Sequence, residues 1–346
     1  MTFKNVSLPR LSWVLIVLLF DSCYEPKEVK LQKFLLKGNE EAANKNYDQA
    51  IAYFKESIQL DPCFLDGINN LGTVYFRLKQ YEQALTMYDQ SIECDPYFLG
   101  SYFNRANTFF ELKEYFNALK DVDKILAVKP DTALAHFIRG LAWTKLRDFD
   151  SAKKAFSSAF QIDPTNIEYL VNRANVYYYL KQYDSAKQDL ERAVALSPDE
   201  PNIYNTRALI AIEQKDFDAA FTAISKALEL APGEPYFINN RGYIHLVNGD
   251  LDQAEDDINR SISTDPENGW AYRNKGIYYL MKEDYPNAER LLVQALSMDN
   301  FIDKIHFYLG MAYWKAGKKQ LACEQFDLSE QAGDAMLTAD LIKLCQ

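Results

Sequence analysis

The chain has 346 residues, 48% of them hydrophobic, with 49 acidic against 38 basic side chains and a formal charge of -11. So acidic a chain lacks the basic footprint that phosphate backbones require, which excludes nucleic acid as an expected partner. Length alone would suggest two domains, but an internal period points instead to one continuous array.

The chain opens with Lys4 and Arg10 ahead of an apolar run, Leu11 to Phe20, with Ser12 inside it. This is the charge-then-apolar pattern of a secretory signal, and the run is too short to span a bilayer comfortably. The next residues, Phe20-Asp21-Ser22-Cys23, resemble the lipobox of bacterial lipoproteins. Ser22 fits it, whereas Phe20 and Asp21 depart from the usual leucine and small residue. The resemblance implies a signal over residues 1–22, an acylated Cys23 at the mature N-terminus and a short tether over 23–30. It also implies a lipid-anchored protein of a bacterial cell envelope, on the periplasmic or outer-membrane face. Ordinary cleavage nearby and an uncleaved anchor are the alternatives.

From residue 31 the sequence repeats. Pro62, Pro96, Pro130, Pro164, Pro198, Pro232 and Pro266 fall 34 residues apart, and Asn300 takes the next slot. With proline as position 32, repeats begin at Leu31, Leu65, Leu99, Ala133, Ile167, Pro201, Pro235, Gly269 and Asp303. Position 8 is Gly or Ala in every repeat, from Gly38 to Gly310, and position 20 is Ala throughout, from Ala50 to Ala322. Small residues there let two helices approach closely. Position 24 is always apolar or aromatic, and position 17 is aromatic except at Leu251 and Lys319. The apolar spacing is helical, so Ile167–Leu180 and Tyr183–Leu196 read as the two helices of the fifth repeat. Each proline ends its second helix.

These residues make the chain resemble the tetratricopeptide repeat, whose signature places Trp, Leu, Gly, Tyr, Ala, Phe and Pro at positions 4, 7, 8, 11, 20, 24 and 32. The match covers residues 31–336 as nine units of 34. Position 7 departs from it, being Arg in five repeats (Arg105, Arg139, Arg173, Arg207 and Arg241). The resemblance implies an all-α, right-handed superhelical solenoid of nine helix-turn-helix units. Helix A of each unit would line a concave groove and helix B would lie outside. Segment 334–346, with Met336, Leu337, Leu341, Ile342 and Leu344, reads as a C-terminal capping helix that covers the last unit's apolar face.

Export would permit disulfides. Cys323 and Cys345 lie about equally far from Gly333, the expected turn before the capping helix, so they would face each other there. A disulfide and two small buried side chains both fit that placement. Cys63 and Cys94 sit near loop ends of neighbouring repeats with no strong case for pairing.

The arginines at position 7 need partners if buried. Arg105, Arg173 and Arg241 have Asp121, Asp189 and Asp257 at position 23 of the same repeat, whereas repeat two is apolar at both places, Leu71 and Met87. Intra-repeat ion pairs are therefore expected. Arg139 and Arg207 face Ala155 and Ala223, which leaves them for a ligand or a neighbouring repeat.

Position 6 carries Asn70, Asn104, Asn172, Asn240 and Asn274. In superhelical relatives such asparagines can hold an extended peptide backbone, because an amide matches a peptide bond in donors and acceptors. Contacts between repeats are the competing use. With Asn107 and Asn175, the aromatics Phe76, Phe110, Tyr178, Tyr179, Tyr243 and Trp270, and Arg273, they form the candidate groove set. Aromatics at a groove surface are typical anchors, although each could also pack on a neighbouring helix.

Signals for chemistry are scarce. His136, His245 and His306 occupy packing positions of the repeat, and no HExxH, paired Cys-x-x-Cys, P-loop or GxGxxG occurs. The acidic run Asp250–Asp257 lacks the spacing and central glycine of a calcium loop. No cofactor and no metal are expected. The chain reads as a non-enzymatic scaffold or adaptor for an unknown protein or peptide, with a peptide or glycan capture subunit feeding an enzyme or transporter as the second reading.

Overall fold

The computed structural model describes residues 25–334, 336–343 and 345, and every regular element among them is a helix. The pairs run α1 (Lys27–Ala43) and α2 (Tyr47–Leu60), α3 (Leu65–Arg77) and α4 (Tyr81–Cys94), then α5 (Leu99–Glu111) and α6 (Tyr115–Val128). Next come α7 (Ala133–Lys145) and α8 (Phe149–Ile162), α9 (Ile167–Tyr179) and α10 (Tyr183–Leu196), and α11 (Pro201–Glu213) and α12 (Phe217–Leu230). The series continues with α13 (Pro235–Asn248) and α14 (Leu251–Thr264), α15 (Gly269–Met281) and α16 (Tyr285–Met298), and α17 (Ile305–Lys315) and α18 (Lys319–Gln331). It closes with the short α19 (Ala339–Lys343). Two compact units result, one up to Ile162 with four repeats and one from Asp163 with five.

The sequence period is also a backbone period. Position 15, between helix A and helix B, is left-handed in every repeat: Lys45, Lys79, Lys113, Arg147, Lys181, Lys215, Gly249, Glu283 and Gly317. A non-glycine residue there costs about 1–2 kcal/mol. Six of the nine are basic, which offsets part of that cost because each sits at the negative end of a helix dipole. The second turn, between repeats, uses the acidic residue before the proline. Asp61, Asp95, Asp163 and Asp265 accept the backbone N–H two residues on, at 2.9 to 3.2 Å. Asp299 does the same with Phe301 at 2.8 Å, so the turn survives where Asn300 replaces proline.

Packing within a pair follows from positions 8, 20 and 24. All nine alanines at position 20 are fully buried. Position 8 lies under position 24: a Cβ on Gly72 would come within 2.6 Å of the Tyr88 ring, and one on Gly140 within 2.5 Å of Phe156. In three repeats with a smaller side chain at position 24 (Val122, Leu190, Ile224), position 8 is Ala (Ala106, Ala174, Ala208), whereas Gly242 and Gly276 lie under Ile258 and Leu292. The two positions therefore share one volume.

The ends differ from expectation. Helix α1 begins at Lys27, inside the segment 23–30 expected as a tether, and its Leu31 is buried. The capping segment is helical only over Ala339–Lys343, and its Leu337 and Leu341 pack on the last core. Cys23 and residues 1–22 lie outside the described residues.

Both remaining cysteine pairs are bonded. Cys323–Cys345 ties the cap to α18, and Cys63–Cys94 ties the turn after repeat one to the end of helix B of repeat two. The second pair follows the stacking geometry. Gln90 Nε2 donates to Pro62 O at 3.1 Å and Arg260 Nη2 to Pro232 O at 3.4 Å, so the late part of each helix B lies against the preceding turn.

Candidate functional site

Three expected ion pairs form as bidentate contacts within one repeat. Arg105 reaches Asp121 at 2.8 and 2.6 Å, Arg173 reaches Asp189 at 2.7 and 2.8 Å, and Arg241 reaches Asp257 at 2.7 Å twice. Burial pushes the Asp121 carboxyl up and the Arg105 guanidinium pulls it back. Arg139 pairs with Asp123 of the preceding repeat. These four arginines are thus engaged with carboxylates inside the array.

The asparagines are largely committed in the same way. Asn104 Nδ2 donates to Asn69 Oδ1 at 2.9 Å, Asn240 to Asn205 at 2.8 Å, Asn274 to Asn239 at 2.9 Å and Asn70 to Asn39 at 2.8 Å. Each bond joins one helix A to the helix A before it. Asn172 turns onto the carbonyl of Glu168 in its own helix, at 2.8 Å. Four of the five position-6 amides therefore link repeats, and among the described residues they do not stand as a continuous ladder for a peptide backbone. Asn107 is exposed and Asn175 half-buried.

The aromatics at position 12 pack on position 17 across the inner turn. Phe76 lies 5.6 Å from Tyr81, Phe110 5.2 Å from Tyr115 and Tyr178 6.3 Å from Tyr183. Tyr179 stands edge-on to Tyr178 at 5.3 Å.

Across the helix-A face of the C-terminal unit, side chains from all five repeats meet. Lys304, in the turn before α17, puts Nζ 2.6 Å from Glu213 Oε1 and 3.4 Å from Asp303 Oδ2. Arg273 donates to the carbonyl of Asp303 at 2.9 Å and to Asn274 Oδ1 at 3.0 and 2.7 Å. Its guanidinium lies 4.8 Å from the Tyr243 ring and 5.0 Å from Trp270, within cation–π range. The Tyr243 and Tyr308 hydroxyls are 3.4 Å apart. Burial opposes the charge on Lys304, yet Asp303, Tyr243 and Glu213 together hold its pKa above the ordinary lysine value. Burial, with Glu213 and Asp303 nearby, pushes the Tyr178 phenol well up. Tyr178, Tyr243, Trp270, Arg273 and Asn274, all in the expected groove set, are thus brought together, but engaged with one another and with the turn at Lys304. Sequence reasoning missed Glu213, Asp303, Lys304 and Tyr308. The one available signal was the break in the proline beat at Asn300, just before that turn.

The helix-A side of the N-terminal unit also carries exposed apolar side chains, as Tyr236 and Met281 (46% exposed each) do in the C-terminal unit. Leu36 (67% exposed) and Leu134 (51%) stand open, with Arg77 and Asn107 also exposed and Phe76 and Phe110 half-buried. Among the described residues no cluster of His, Cys, Asp or Glu is placed to hold a metal, and no helix is long and apolar enough to cross a membrane. The histidines serve packing: His136 Nε2 meets Pro130 O at 2.9 Å, and His306 Nδ1 meets Gln325 Oε1 at 2.8 Å.

Comparison with known proteins agrees with this architecture. Tetratricopeptide repeat models match residues 34–62, 66–98, 103–167, 171–235, 239–301 and 273–335. Comparison with curated proteins finds no match. Among solved structures, a tetratricopeptide repeat protein from Parabacteroides merdae superposes with a TM-score of 0.64 at 19% identity, over 72% of this chain and 98% of that one. The APC/C hetero-tetramer Cut9-Hcn1 gives 0.58 at 14% identity, over 92% and 77%. PilF of Pseudomonas aeruginosa gives 0.54 at 16% identity, over 62% and 97%. At these identities the likeness is one of fold.

Proposed function

This chain belongs to the tetratricopeptide repeat family, and on that footing we propose that it holds a protein partner on the helix-A face of its N-terminal unit while tethered to a cell envelope through Cys23. At the coarser level it is a scaffold for protein–protein interaction, in a fold that is generally non-enzymatic. The exposed side chains of the N-terminal unit carry the finer reading. In the C-terminal unit, Lys304 bonds Glu213 and Arg273 bonds the Asp303 carbonyl across the helix-A face. In the N-terminal unit that face offers Leu36 and Leu134 for burial, with Asn107 and Arg77 as polar contacts around them. Apolar anchors with a polar rim are what a docking surface needs.

A photo-crosslinking amino acid at Asn107 tests the docking face. It should give one defined adduct in the native cell, while the same group at exposed Lys124 on helix B of that repeat should give none. Adducts of equal strength from both positions, or from neither, would sink the proposal. The envelope tether is supported by the Ser22-Cys23 junction after the apolar run and by two disulfides, which suit an oxidising compartment. Cys23→Ala should release the protein from membranes, and absence of lipid mass on the wild-type N-terminus would end that part of the reading.

A further inference from the structure

One arginine of the position-7 series has no carboxylate. Arg105, Arg173 and Arg241 each grip an aspartate at position 23, and Arg139 grips Asp123 of the repeat before. In repeat six position 23 is Ala223. Arg207 there makes no hydrogen bond or ion pair among the described residues, and its guanidinium only rests 5.9 Å from the ring of Tyr204. The space that an aspartate would fill is open instead. A cleft of about 710 Å³ lies between α10, α11 and α12, lined by Arg207 and Ala223. That size suits a small ligand.

The chemistry of the lining is lopsided. Most of its surface is apolar, from Ile210, Ala211, Ala219 and Ala223 among others. Its other cations are engaged: Lys187 Nζ meets Gln214 Oε1 at 2.9 Å and Lys226 Nζ meets Glu229 Oε1 at 2.9 Å. Asp216 caps α12 through the N–H of Ala219 at 3.1 Å. Glu191 sits at position 25 of repeat five, where Asp89 and Asp123 of earlier repeats pair with Arg105 and Arg139, yet it does not bond Arg207. A half-buried guanidinium facing apolar walls has an unmet demand for a planar anion with two acceptor oxygens.

We propose that the Arg207 cleft is a binding site for a carboxylate carried on a short aliphatic body, the carboxylate taking the place that Asp189 takes beside Arg173. Such a group arises on a free aliphatic acid or at the C-terminus of a protein chain ending in an aliphatic residue. The site is separate from the helix-A docking face, since its walls come from helices α10 and α12 and the side of α11 turned toward them.

Hexanoate and N-acetyl-leucine-leucine titrated into the purified protein by calorimetry distinguish the two sources. At least one should bind with a Kd on the order of 1 mM, as the size of such ligands allows, and the tighter one names the source. Hexanol and the amidated dipeptide should bind at least about tenfold more weakly, because they cannot satisfy both guanidinium edges. The decisive variant is Ala223→Asp. It rebuilds the pair of repeats three, five and seven, so it should fold with an unchanged or higher Tm and lose binding. Arg207→Gln should weaken binding at least about tenfold, and Glu191→Gln, which removes the anion that does not cap a helix there, should strengthen it. Failure of both ligands to bind, or binding that Ala223→Asp and Arg207→Gln leave unchanged, would overturn the site without touching the helix-A reading, whose crosslinks are measured independently.

Discussion

Lys304 and Glu213 are 91 residues apart in the chain, yet Nζ and Oε1 meet at 2.6 Å. The lysine belongs to the turn opening the ninth repeat and the glutamate to the end of helix A of the sixth. Most contacts in a repeat array join nearest neighbours, so this pair links repeats that the stacking rule leaves independent. Both side chains are largely buried, at 15% and 25% exposure. Replacing one partner leaves the other charge without its counter-ion, so Lys304→Met or Glu213→Gln should each cost about 1–3 kcal/mol. The double variant should recover part of the loss. Urea denaturation of the four proteins measures the coupling, and an additive result would show that the contact contributes nothing.

The same cluster gives a pH dependence with a defined sign. The Tyr178 and Tyr308 phenols are raised from 10.0 by burial, and Lys304 is raised from 10.5. A group whose folded pKa exceeds its unfolded value contributes stability that is complete below the unfolded pKa and is lost as pH climbs through the folded one. Stability should therefore hold up to about pH 10 and fall beyond it. Tyr308→Phe removes one titrating phenol, so its denaturation midpoint should fall less steeply between about pH 10 and 11 than that of the wild type. Parallel slopes would refute this.

The shared volume at positions 8 and 24 predicts a rescue. Gly72→Ala drives a Cβ to within 2.6 Å of the Tyr88 ring, and overpacking of that kind costs about 1–3 kcal/mol. Repeat three solves the same problem with Ala106 beneath Val122, both fully buried. Adding Tyr88→Val to Gly72→Ala should therefore return much of the loss caused by the alanine. Thermal unfolding of the single and double variants decides it, and a double variant no better than the sum of two single losses would show that the positions do not share space.

How much of this was legible in the sequence depends on the length scale of each interaction. The alanines at position 20, the small residues at position 8 and the Arg–Asp pairs act within one repeat, and repetition printed their registers again and again along the chain. Asn104 bonding Asn69 acts between neighbours, so the sequence showed the residues but left their use open between ligand and architecture. The Cys63–Cys94 bond has the same range, and only the way each helix B leans on the preceding turn makes it readable. Lys304 meeting Glu213 depends on how four repeats curve together, which no period encodes. The sequence pattern is silent there for the same reason that the contact is unusual.

Both disulfides close loops long enough to matter. Cys63 and Cys94 are separated by 31 residues and Cys323 and Cys345 by 22, and loops of that size stabilise by about 3–4 kcal/mol through restriction of the unfolded chain. Thiol labelling under denaturing conditions should find these four cysteines protected until reductant is added. Reduction should lower the unfolding midpoint, and Cys345→Ser should reproduce the share belonging to the cap. Four reactive thiols in protein purified without reductant would contradict the bonded state.

Arg173 and Asp189 test whether an ion pair inside a repeat is there for stability. Their side chains are 10% and 5% exposed and share two hydrogen bonds. Asp189→Ala strands a buried guanidinium and should cost about 3–5 kcal/mol, whereas desolvation of both charges offsets most of what the intact pair contributes. Repeat two fills the equivalent space with Leu71 and Met87. Arg173→Leu together with Asp189→Met should accordingly match or exceed wild-type stability in urea, despite losing every polar contact at the site. A double variant as weak as Asp189→Ala would mean that the pair is net stabilising, and the apolar solution of repeat two would then owe its success to neighbours that repeat five does not have.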